Sequence, residues 1–194
     1  MAALGLVLPV TAPVLAHAEP LNDVKIIDAR GDMWRLQNEA RPLAAPKQRR
    51  GDIRRTTIRH RQRAITVRTK FVELLRKPQF HAKVVVLRTN AGLLREVNVV
   101  AGRFMGRSFY RGIVEVSRRN GRPVDCAVRH RINYATNVTA IRVPRSCLGN
   151  PRWAQAKVLS VGVYGARRSP GEFVDTAHGP HHRLNDWSPR LRRP

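Results

Sequence analysis

RPVDCAVRHRINYATNVTAIRVPRSCLGNPRWAQAKVLSVGV, residues 122–163, contains the only two cysteines of the chain, Cys126 and Cys147. It reads as three strands, with a tight Leu148-Gly149-Asn150-Pro151 turn before the third. Cys126, Val128, His130 and Ile132 alternate with Ala127, Arg129 and Arg131, and Thr139, Ile141 and Val143 alternate with Ala140 and Arg142. Successive side chains of a strand leave opposite faces, so this period-two pattern marks half-buried strands, apolar inward and cationic outward. A Cys126–Cys147 disulfide would tie the first strand to the end of the second.

Upstream, the same signals recur. Arg118-Arg119-Asn120-Gly121 carries an Asn-Gly hairpin turn after a strand at residues 113–117. Gly102, Gly106 and Gly112 break the segment before it. Residues 84–87 are apolar on both faces, which suits a central strand within 80–88, and Asn90-Ala91-Gly92 turns the chain into a strand at 93–100. Ile65, Val67, Thr69 and Phe71 form an inward face opposite Thr66, Arg68 and Lys70. Residues 52–60 are a more polar strand, and Val24, Ile26 and Met33-Trp34 suggest an edge strand and a loop. Beyond Val163, Pro170, Gly171, Gly179, Pro180 and Pro189 read as irregular chain. No stretch sustains a 3.6-residue period. The expected fold is all-β: a single antiparallel β-sandwich, jelly-roll or Ig-like, with eight to nine strands and one disulfide.

The 194 residues suit one domain. The first 18 residues carry no Lys, Arg, Asp or Glu, and an apolar run ends at Ala16-His17-Ala18, a small-x-small cleavage pattern. The expected organisation is a signal peptide at 1–18, an N-terminal edge strand and loop at 19–50, and the β-sandwich domain at 51–190. Export to the outside or to the cell envelope agrees with a disulfide, and no stretch is long and apolar enough for a membrane span.

The formal net charge is +24. Only six of the 37 cationic residues are lysine, so 31 are arginine, against 13 acids. Guanidinium groups pair bidentately with phosphate, sulfate and carboxylate, which points to an anionic partner. Arg68, Lys70, Arg129, Arg131 and Arg142 fall on outward positions, beside a basic run containing Arg54 and Arg59. These seven are the candidate anion-binding residues, for an unspecific anionic polymer such as a wall polymer or nucleic acid.

Other motifs carry less. Arg30-Gly31-Asp32 and Arg50-Gly51-Asp52 match the adhesion tripeptide, but Gly-Asp pairs also turn a chain into strands, with the carboxylate accepting backbone N–H bonds. Asp23, Asp28 and Asp32 have a spacing that suits calcium, yet in so acid-poor a chain they read as structural residues of an entry loop. His178, His181 and His182 form a loop cluster, and His60 and His130 are expected to be hydrogen-bonded within the fold. Asn137-Val138-Thr139 is a glycosylation sequon, and Trp34, Trp153 and Trp187 are candidates for a sugar-stacking platform. No hydrolase, metalloprotease or phosphate-loop signature is present. The reading expects no catalytic residue, no metal and no cofactor.

Arg50-Gly-Asp-Ile53, Ile58-Arg-His60, Thr66-Val-Arg-Thr-Lys-Phe71-Val-Glu-Leu74, Val143-Pro-Arg-Ser-Cys147-Leu-Gly-Asn-Pro151-Arg-Trp153 and Val174-Asp175-Thr-Ala177 together resemble secreted β-sandwich proteins of high-GC Gram-positive bacteria that have no assigned function. The resemblance spans residues 25 to 190, and the layout is similar to that of carbohydrate-binding modules. Where many such sequences have an Asp-rich turn, this chain reads Arg88-Thr-Asn-Ala-Gly-Leu93, without acids. The resemblance implies fold and export, and no activity. The functional expectation is therefore non-catalytic binding of a polyanion through an Arg-rich face. The alternatives are a structural envelope protein with no small ligand and a carbohydrate-binding module.

Overall fold

A computed structural model describes residues 21–36, 43–104, 107–166, 169–178 and 186–194. The expected signal segment lies outside them, as do His181 and His182.

Two antiparallel sheets pack face to face. The smaller contains β1 (Asp23–Ile27), β4 (Ile53–His60), β5 (Ala64–Phe71), β10 (Arg129–Asn133) and β11 (Val138–Pro144), in the order β1-β4-β5-β11-β10. The larger has a spine of β2 (Trp34–Leu36), β13 (Ser169–Thr176), β12 (Trp153–Ala166), β6 (Phe80–Thr89) and β7 (Leu94–Phe104). Four short strands complete it: β3 (Leu43–Ala44) on β2, β8 (Arg107–Ser108) and β9 (Ile113–Arg118) on β7, and β14 (Leu191–Arg192) on β12.

Alternation explains the packing. In β5, Ile65, Val67 and Phe71 are fully buried while Arg68 is exposed. Ile58, Val67 and Ile141 from the smaller sheet meet Val85, Leu87, Val97 and Val158 from the larger in one core. Each such aliphatic side chain contributes about 1.5–3 kcal/mol relative to exposure. As expected, the stretch around residues 84–87 is central, with β12 on one side of β6 and β7 on the other.

The disulfide forms between Cys126 and Cys147, with Cα atoms 5.8 Å apart. Its first half-cystine precedes its strand. Val128 N bonds to Cys126 O at 2.7 Å, a tight turn that delays β10 until Arg129. Cys147 sits in a short 3-10 turn, Arg145–Leu148, after β11. Gly149 (φ 70°) and Asn150 (φ 51°) then reverse the chain into β12 in the left-handed region, which suits these residue types.

Two expectations need correction. The described residues form fourteen strand segments rather than eight or nine, because two- and three-residue pieces extend the larger sheet at its margins. The chain beyond Val163 is not irregular: β12 continues to Ala166 and pairs with β13 over eight positions. The glycines there accommodate large neighbours. A Cβ on Gly162 would stand 2.3 Å from the Tyr164 ring, and one on Gly171 would stand 2.8 Å from Phe173.

Candidate functional site

The register of the smaller sheet sets its outer face row by row. One row runs Asp23, Arg59, Thr66, Arg142, Arg129 across five strands. The next runs Lys25, Thr57, Arg68, Ala140, Arg131, and a third contains Ile27, Arg55, Lys70 and Val138. Six of the seven residues expected to bind an anion therefore share this face: Arg59, Arg68, Lys70, Arg129, Arg131 and Arg142. Arg55 and Lys25 join them, and the only acid in these rows is Asp23.

Arg59 Nε donates to Asp23 at 2.9 Å, and Lys70 Nζ donates to Thr136 O at 2.6 Å. Arg68, Arg129, Arg131 and Arg142 make no ion pair or hydrogen bond among the described residues, and all four are exposed. Arg54 departs from the alternation. The register slips between Ile53 and Arg55, a bulge that leaves Arg54 outside the rows. It lines a concavity of about 410 Å3 with Asp28, Arg30, Arg55 and Lys70. At the opposite end of the face, Arg131 borders a concavity of about 520 Å3 with Arg76, Lys77, Arg111, Tyr110 and Tyr134.

A second cluster has the opposite sign. The two Arg-Gly-Asp segments meet: Gly31 N donates to Asp52 Oδ2 at 2.8 Å. Gly51 takes φ 83°, and a Cβ there would stand 2.6 Å from Tyr164 OH and 3.0 Å from Ser160 Oγ. Only glycine fits this approach. Carboxylate oxygens of Asp28, Asp32 and Asp175 lie within 4.8 Å of one another. Asp175, fully buried, accepts from Ile53 N at 2.6 Å and Thr176 N at 2.8 Å. Burial, with the Asp28 charge next, pushes Asp175 up to about 9, and burial pushes Asp52 up to about 6. Neither tripeptide is a free adhesion loop.

No family model, curated protein or solved structure matches the chain.

The remaining motifs resolve into structural roles. His60 Nδ1 donates to Leu191 O at 3.0 Å, and His130 Nε2 lies 3.1 Å from Gly112 O, as expected. The Asn137 side chain accepts from Leu74 N at 2.9 Å, and Thr139 of the sequon is buried. Cations cover two tryptophans: Arg88 and Lys157 lie over Trp187, and Arg190 lies over Trp153. Such coverage competes with sugar stacking. Between the sheets, His81 Nδ1 and Tyr164 OH share a 2.7 Å hydrogen bond, and Lys83 Nζ donates to Val67 O at 3.1 Å. Burial lowers His81 to about 4 and holds Lys83 well below the usual amine range.

Sequence reasoning placed Arg55 only in the basic run beside the face, and it missed Lys25 on the face and the joining of Asp52 and Asp175 to Asp28 and Asp32. Asp23, grouped with the latter two by spacing, pairs with Arg59 instead. The available signal was Phe173-Val174-Asp175-Thr176-Ala177, a carboxylate inside an otherwise strand-like run.

Proposed function

We propose that the protein is an exported, non-catalytic binding domain whose cationic sheet face takes a polyanion. One observation carries the reading: Arg129 and Arg142 stand directly opposite each other in register, both exposed and both without a counter-charge among the described residues. Like charges directly across an antiparallel ladder repel. A fold that keeps them adjacent, with Arg68 and Arg131 in the next row, displays a cationic lattice that an anionic polymer relieves by bidentate pairing and counterion release. An open face that spans five strands suits a repeating polymer better than a small molecule. The disulfide and the absence, among the described residues, of a helix long and apolar enough to cross a membrane agree with export.

The test is binding of the oxidised chain to teichoic acid, duplex DNA and heparin across a salt series, with a neutral glycan as control. One anion is expected to bind at physiological salt, with affinity falling steeply as salt rises, and Arg129→Gln with Arg142→Gln is expected to weaken it. Indifferent binding to every anion that disappears by about 0.15 M salt, where screening acts within roughly 8 Å, would sink the reading.

A further inference from the structure

We infer that Asp28, Asp32 and Asp175 form a binding site for one hard divalent cation of the calcium class, with Asp52 and Ser160 in its wall. Four of the chain's 13 acids gather here, in a protein of net charge +24. None of the arginines forms an ion pair with Asp32, Asp52 or Asp175 among the described residues. Buried carboxylates are ordinarily paired or coordinate a metal.

The spacing fits such an ion. Calcium binds oxygen at about 2.3–2.6 Å, so its ligands stand at most about 5 Å apart. The carboxylate oxygens of the three aspartates are no farther apart than 4.8 Å. Magnesium, at about 2.0–2.1 Å, draws its ligands closer and keeps more water. An all-carboxylate donor set also selects against the softer transition metals.

Two groups outside the trio independently point to a ligand. Asp52 is 1% exposed and Ser160 is fully buried, yet Asp52 Oδ1 and Ser160 Oγ have no hydrogen-bond partner among the described residues. Ser160 stands directly across from Asp175 in the β12–β13 ladder, so its hydroxyl leaves the sheet beside that carboxylate. The other carboxylate oxygen of Asp52 accepts from Gly31 N, one residue before Asp32, and the Asp32 charge acts on the Asp52 carboxyl. Orphaned buried oxygens beside a carboxylate trio are what a bound cation, or water on it, satisfies. Asp28 also borders the 410 Å3 surface concavity, which supplies an entry path.

The four acids come from both layers. Asp28 follows β1 and Asp52 precedes β4 in the smaller sheet, while Asp32 precedes β2 and Asp175 lies on β13 in the larger. A cation here clasps the two sheets where the chain crosses between them.

Calorimetric titration of the oxidised full chain with CaCl2, after dialysis against a chelator, tests this directly. One Ca2+ per chain binds, the thermal midpoint rises with Ca2+, and Mg2+ and Mn2+ bind more weakly. Asp32→Asn, at a half-buried position, keeps the wild-type circular dichroism. It lowers Ca2+ affinity by at least 10- to 100-fold, the loss that outer-shell changes alone can cause. The inference is overturned when the wild type shows no saturable one-ion binding, when Mg2+ or Mn2+ is preferred, or when Asp32→Asn binds Ca2+ as tightly as the wild type. Anion binding by the sheet face is read separately and stands or falls on its own.

Discussion

Arg129 on β10 and Arg142 on β11 face each other across the antiparallel ladder, on the exposed side of the sheet. Their repulsion sets stability against binding. Arg142→Gln is expected to leave stability in urea unchanged or raise it by a few tenths of a kcal/mol, since a like-charged cross-strand pair is removed. The same variant should leave a heparin column at lower salt. A variant that loses stability while keeping its elution position would contradict the assignment of this face.

Lys83 makes the opposite kind of compromise. Its amine is buried between the sheets with a single bond among the described residues, to Val67 O. Methionine has similar length and no desolvation cost. Lys83→Met should therefore stabilise the fold by about 1–3 kcal/mol, read as a higher midpoint in urea. A lower midpoint would show that the amine has a partner of more consequence than Val67.

His81 gives a pH signature. Its folded pKa of about 4 lies below the unfolded value of 6.5, because burial and then the Lys83 charge disfavour the imidazolium. The unfolded chain thus binds the extra proton first. The contribution of neutral His81 is complete above pH 6.5 and is lost as pH falls towards 4, by about 3 kcal/mol at most. Asp52 and Asp175, with raised values, push the other way, losing stability as pH rises. The clean measurement is the difference between wild type and His81→Phe across this range, which should shift against the wild type with acid. A flat difference would show that His81 titrates alike in the folded and unfolded chain, with no depression by burial.

Opening the Cys126–Cys147 bond releases a loop of 21-residue separation. Chain-entropy reasoning gives a loss of about 3 kcal/mol for Cys126→Ser with Cys147→Ser. Paired urea titrations of the variant and of the reduced wild type should agree with each other. A reduced protein as stable as the oxidised one would refute the estimate.

Much of the fold was legible because alternation is local. Ile65, Val67 and Phe71 sit where their pattern put them, and Arg68, Arg129, Arg131 and Arg142 share one face because cross-strand register keeps the inward positions together. The β12–β13 hairpin was hidden by its glycines, which normally mark loops. Here Gly162 and Gly171 leave room for Tyr164 and Phe173 to fold over the strands. A one-residue bulge, which no residue type announces, sets Arg54 beside the rows of the face rather than within them. The acidic cluster was the least visible feature. It joins Asp28 and Asp32 to Asp175, far along the chain, and such a long-range meeting leaves no periodic trace.

The strand that carries Arg129 and Arg131 is also a rim of the smaller sheet, with β11 on one side and, among the described residues, no strand on the other. Open rims invite further strands, and aggregation starts from them. This one is five residues long, and the disulfide holds the chain just ahead of it. Its exposed positions repel an identical rim. Copies of the protein are thereby kept from zipping together edge to edge, so the same charges that are proposed to receive a polyanion also guard the chain against fibre growth.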